Sequence, residues 1–116
     1  MVKSAIDIST SSCIMMEGVA IGGDINIIRS SGNGIFLAYY LNNVKKKAIA
    51  RLAQGISVIH LYNTNLKSLT LSMPSISEQN RIADFILAID KSIEKLSSQI
   101  DESLQFKKGL LQKMFV

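Results

Sequence analysis

The sequence predicts an α+β protein, with a small mixed domain over residues 1–74 and one long coiled-coil helix over residues 75–116. Three observations predict it. Pro74 is the only proline in the 116 residues and separates two styles of sequence. Before it, short β-branched or apolar runs alternate with Gly, Asn and Ser, the punctuation of a small mixed fold. After it, a single hydrophobic period continues almost to the C-terminus.

In chain order, residues 12–21 and 24–29 are β-branched or apolar runs joined at Gly22-Gly23, a pair that suits a turn. Residues 30–34, Ser-Ser-Gly-Asn-Gly, form a loop by composition, with Asn33 as its turn residue. Phe36, Leu37, Tyr40 and Leu41 fall at helical spacing, so residues 35–43 are expected to be a short helix. Residues 44–53 read as a second helix, with Ala48, Ile49 and Leu52 on one side and the lysines on the other. Gly55 then ends it as a helix C-terminal glycine. In residues 68–73, Leu69, Leu71 and Met73 alternate with Thr70 and Ser72, which predicts a half-buried strand.

The second segment carries the strongest pattern. Ile82, Ile86, Ile89, Ile93, Leu96 and Ile100 are spaced 4, 3, 4, 3, 4, a heptad seam that keeps one stripe facing a partner helix. Leu104 follows after a four-residue step of the kind that locally unwinds a coiled coil, and Leu111 and Phe115 extend the stripe. Ser75 and Glu78 have capping-box spacing, with Ser77 as the alternative cap. Lys107, Lys108 and Lys113 lie near the end and Glu78, Asp84, Asp90 and Glu94 nearer the start, matching the helix dipole. Gly109, at a cost of ~1 kcal/mol relative to alanine, marks a bend, a close approach or a frayed end. A helix from 77 to 114 would be a rod of ~57 Å. Six seam residues supply a gross ~10 kcal/mol when buried. The chain contains no second helix of matching length, so the expected partner is another molecule, in parallel or antiparallel pairing.

Composition narrows the function. Hydrophobic residues make up 47%, yet no run reaches the ~18 uncharged apolar residues of a membrane span, and the start lacks the apolar run of a secretory signal. Cys13 is the single cysteine, so no internal disulfide and no thiol-based metal site is expected. These features predict a reduced, cytoplasmic protein without a cofactor or metal. The net charge of +4 is unevenly placed. Residues 1–74 hold seven basic and three acidic side chains, whereas residues 75–116 hold six of each. The whole excess therefore lies in the first segment, where it can attract a polyanion. No nucleophile, base and orienting group fall together at a useful spacing, so no enzymatic activity is expected.

Lys45, Lys46, Lys47 and Arg51 are candidates for phosphate contact, which gives affinity and register without sequence information. The competing reading is the solvated face of an amphipathic helix. Lys45 and Lys46 are preferred over Lys47. Gln54, Ser57, His60 and Asn63 follow in or near the next loop, and such side chains can hydrogen-bond base edges. Ordinary loop capping is the alternative for Gln54 and Asn63, and a structural role is the alternative for His60. Tyr39 and Tyr40 could stack on bases, but helical spacing favours packing, above all for Tyr40.

Several segments, in order, resemble the specificity subunits of type I restriction–modification systems. They are Phe36-Leu37-Ala38-Tyr39-Tyr40-Leu41 with the lysines after it, Ala50-Arg51-Leu52-Ala53-Gln54-Gly55, and His60-Leu61-Tyr62. Leu66-Lys67-Ser68-Leu69, Pro74, and Glu78-Gln79 with Ile82 follow, and residues 107–115 are similar to the end of that family's spacer. The resemblance covers about residues 18–116, while residues 1–17 match nothing recognisable. It implies a partial DNA target-recognition domain over 1–74 and a spacer and dimerisation helix over 75–116. It further implies a non-catalytic subunit that reads one half of a bipartite double-stranded DNA target and docks methyltransferase (modification) subunits, in company with restriction subunits. The DNA contacts would fall to Lys45, Lys46, Arg51, Gln54, Ser57 and His60. The partner helix would be met by Ile82, Ile86, Ile89, Ile93, Leu96, Ile100, Leu104 and Leu111, in a homodimer or heterodimer. The chain is shorter than even a half-length family member, so the first part of the recognition domain is expected to be absent or reduced. The alternative is a truncated interaction protein that pairs its helix with an intact specificity subunit and does not read DNA.

Overall fold

The computed structural model describes residues 10–23, 25–53 and 61–115. Four helices occur among them: α1 (Gly34–Asn43), α2 (Lys46–Leu52), α3 (Asn63–Leu66) and α4 (Ile76–Met114). Of the described residues, 61% are helical and none lies in a strand, so the α+β expectation is corrected to a helical fold. The chain divides into two compact units, Met1–Asn80 and Arg81–Val116.

The first unit is organised by α1. Asn33 caps it, its side-chain oxygen accepting from Phe36 N–H at 3.0 Å and relieving one of the orphan donors of the first turn. The helix ends where Val44 N–H reaches Tyr40 O at 2.9 Å. Its inward residues Leu37 and Leu41 join Ile49 of α2 in the core, and Leu61, Leu66, Leu69, Leu71 and Met73 pack around them. Phe36 is also buried, and its ring stacks on Tyr40 with centroids 5.8 Å apart. The packing role expected of Tyr40 is thus present, and its hydroxyl accepts from Ser72 N–H at 3.3 Å.

The segment expected to be a strand, 68–73, shows why alternation misled. Leu69, Leu71 and Met73 turn inward onto the core while Thr70 and Ser72 are exposed. Period-two alternation reports which side chains face the core, but it carries no information on a pairing partner. This stretch covers the helical core without joining a ladder. The runs 12–21 and 25–29 are likewise irregular, and Ile14, Met15, Met16, Ile25, Ile27 and Ile28 are exposed. At the Gly22-Gly23 pair, Gly23 has φ +77° and Ile25 N–H donates to Gly23 O at 2.9 Å. That φ is open to glycine at little steric cost.

Asparagine amides hold the irregular segments in place of a ladder. Asn42 of α1 makes a reciprocal pair with Ser11, both bonds 2.7 Å. Asn26 Nδ2 donates to Leu61 O at 2.7 Å, and Asn65 Nδ2 to Leu52 O at 3.2 Å. The last of these satisfies a carbonyl at the end of α2, one of the groups a helix terminus leaves without a partner. Gly55, expected to end α2, lies outside the described residues.

Helix α4 begins at the expected capping box. Ser75 N–H donates to Glu78 Oε2 at 3.1 Å and Glu78 N–H returns a bond to Ser75 Oγ at 3.3 Å. Ser75 rather than Ser77 therefore caps the helix, the reciprocal arrangement that satisfies two orphan donors. Its 39 residues run unbroken to Met114, a rod of ~58 Å at ~1.5 Å per residue. Gly109 lies within it and does not end it.

Candidate DNA-contact and helix-pairing surfaces

The basic cluster lies at the junction of α1 and α2. Two residues of backbone, Val44 and Lys45, separate the helices, and Lys45 occupies the cap position of α2 without a side-chain capping bond. Lys46 and Lys47 follow in its first turn, which holds no acidic residue, and Arg51 lies in the last turn. Lysines at the positive end of a helix dipole weaken the helix slightly, so the α2 helix owes its place to Ile49. That residue is 2% exposed and anchors the helix in the core; Lys45 and Lys46, four and three residues before it, lie on its side, and Lys47 and Arg51 lie opposite. Lys47 and Arg51 are exposed, and Lys45 and Lys46 are half-buried. The structure thus brings four cationic side chains onto one seven-residue helix and its cap.

The other expected base-reading residues, Gln54, Ser57 and His60, lie outside the described residues. Asn63 opens α3 and is exposed; its carbonyl accepts from Lys67 N–H at 3.1 Å. Sequence reasoning did not single out Asn26, Asn42 or Asn65, whose bonds hold the irregular segments. An amide that serves a partner 13 to 35 residues away leaves no local pattern in the sequence.

The second surface is the seam of α4. Ile82, Ile89, Ile93, Leu96, Ile100, Leu104 and Leu111 are each 41–60% exposed, and Ile86 is half-buried. From Ile82 to Ile100 they follow one another at heptad steps, a stripe of about five turns of helix, and Leu104 and Leu111 carry it on. Phe106, Leu110, Met114 and Phe115 are also exposed, broadening the apolar surface towards the helix end beyond the four-residue step at Leu104. Large contiguous apolar surface of this kind marks an interaction site.

Among the described residues, no helix is long and apolar enough to cross a membrane. No group of three or more His, Cys, Asp or Glu side chains is placed to hold a metal ion among them.

A protein described as the type I restriction enzyme MjaX specificity subunit, from Methanocaldococcus jannaschii, is 28% identical over 99 residues. The aligned region covers 81% of this chain and 23% of that protein, so the chain spans about a quarter of its relative's length. No solved structure matches the chain. The family model for type I restriction modification DNA specificity domains matches residues 8–105, from before the first helix to deep within α4. With most of its length inside that match, the chain belongs to the family of type I restriction modification DNA specificity domains.

Proposed function

We propose that the chain is a sequence-recognition component of a type I restriction–modification complex and performs no chemistry itself. The single observation that carries this reading is the family match over residues 8–105, which takes in the basic helix α2 and the exposed seam as far as Leu104. Residues 1–74 act as a partial recognition domain on double-stranded DNA. Lys45, Lys46 and Arg51 contact phosphates and hold the register, while Gln54, Ser57 and His60 meet base edges. Residues 75–116 act as the spacer. Its seam pairs with the same helix of a second copy, or with an intact specificity subunit, and the paired helices dock the modification subunits, with restriction subunits joining the same cytoplasmic complex. Pairing two copies places two basic clusters at a fixed separation, which suits a bipartite target.

The test is co-purification of the chain with a type I modification subunit from the same cell, followed by footprinting on DNA fragments. Two protected half-sites separated by an unprotected gap are expected. A complex that co-purifies but protects no sequence would overturn the recognition role and leave helix pairing as the activity.

A further inference from the structure

We propose that Lys107 is the specificity-determining residue of the α4 seam. It bars two copies from pairing in the same direction, so a second copy is accepted only when its helix runs the opposite way. The inference rests on the helix pairing proposed above and concerns residues 82–114 alone.

The heptad steps fix where the seam goes after Ile100. Continued without interruption, alternating steps of three and four reach Ser103, Lys107, Leu110 and Met114. With the four-residue step to Leu104 taken first, they reach Lys107, Leu111 and Met114. Lys107 lies in the seam on both paths, and no other charged residue lies on either. Its helix neighbours three and four positions away are Ser103, Leu104, Leu110 and Leu111, so its own helix offers no carboxylate at the spacing that forms ion pairs. All four are exposed, as is Lys107. One charge set in an apolar stripe is therefore presented to whatever helix pairs with it.

Apolar packing alone does not choose a direction. The spacing 4, 3, 4, 3, 4 from Ile82 to Ile100 reads the same from either end. Two copies running the same way in register match all six residues, and so do two opposed copies centred on position 91. Lys107 separates the two arrangements. In the same-direction pair its ammonium meets its own counterpart in one layer of the seam, two like charges among leucines that keep water away. Opposed copies hold the two ammonium groups ~48 Å apart at ~1.5 Å per residue, well beyond the ~10 Å over which exposed charges interact at 0.1 M salt. A single lysine at a seam position specifies register at a cost in stability, and discrimination needs only that the wrong pair be the worse one.

The experiment uses the full chain with Cys13→Ser and one spin label at Gln105→Cys, off the seam, so that the distance between two copies is read. Opposed pairing separates the labels by ~42 Å along the helix axis. Same-direction pairing leaves them level, apart only across a pair whose axes lie ~8–10 Å from each other. The chain with Lys107 should give the long distance only. Lys107→Leu should add the short one, whereas Lys107→Arg, which keeps the charge, should not. Lys107→Glu alone should also give the long distance only, but mixed with the Lys107 chain it should add the short one, because opposite charges then share the layer. Destabilisation by itself would lower the dimer fraction without creating a short distance. If Lys107→Leu fails to fold, the charge mixture decides. A short distance in the Lys107 chain, or none in both the leucine variant and the mixture, overturns the role of Lys107 and leaves helix pairing standing. A chain that stays monomeric in light scattering at the labelling concentration overturns the pairing itself, and the role of Lys107 with it.

Discussion

Replacing Ile89 and Ile93 together by Asp should abolish the helix pairing proposed for α4. Ile89 is 44% exposed and Ile93 58% exposed, so each has about half of its surface left to bury. Full burial of an isoleucine is worth ~1.5–3 kcal/mol, which leaves ~1 kcal/mol per side chain for pairing. A symmetric dimer contains each position twice, so the double substitution removes ~4 kcal/mol, or a factor of ~1,000 in Kd. The carboxylates add to this, because a charge inside a seam must be desolvated or must hold the helices apart. The helix itself should survive, since aspartate costs well under ~1 kcal/mol of helix propensity. Sedimentation or light scattering across a dilution series is the assay, with circular dichroism as the control for helix content. Lys91→Ala, which lies off the seam, should leave the mass unchanged. A double Asp variant that stays dimeric with an unaltered dissociation constant would refute the assignment of the seam as the interface.

Three further outcomes are expected. Ile49→Ala, at a site 2% exposed beneath the lysines, should destabilise the first unit by ~2–5 kcal/mol, lowering its thermal midpoint by ~10 °C or more; a shift of only a degree or two would show that the core lies elsewhere. Lys45→Ala with Lys46→Ala should weaken binding to all DNA sequences alike and flatten the slope of log K against log salt by ~2; an unchanged slope would remove both lysines from the phosphate contacts. Ser75→Ala should cost ~0.5–2 kcal/mol in thermal or denaturant unfolding, and Ser75→Asp, which can also cap, should recover most of it; equal losses in the two variants would argue against the capping role.

The sequence made the long helix legible because its signals are local and repeated. Isoleucines at heptad steps and a Ser-x-x-Glu start each act within one or two turns, and the capping bonds between Ser75 and Glu78 form as that spacing implies. Helices α1 and α2 were legible for the same reason, whereas the single turn of α3 was not expected. Strands were expected where none forms because β-branched and alternating residues specify a facing pattern, while a ladder needs a partner that composition does not name. Leu69, Leu71 and Met73 fulfil the inward half of that pattern on a helical core. The amide bonds of Asn26, Asn33, Asn42 and Asn65 were illegible, since each reaches a partner 13 or more residues away and leaves no local pattern. Lysines at 45 to 47 could be placed at a helix from sequence, but contact with DNA depends on a partner molecule.

The most direct test of the proposed function is co-expression with a type I modification subunit from the same cell and mapping of methylation across the host DNA. A new bipartite motif with symmetric halves and a fixed gap is expected, as two copies joined through α4 would read it. A pair of proteins that co-purify yet add no methylated motif would contradict sequence recognition by this chain.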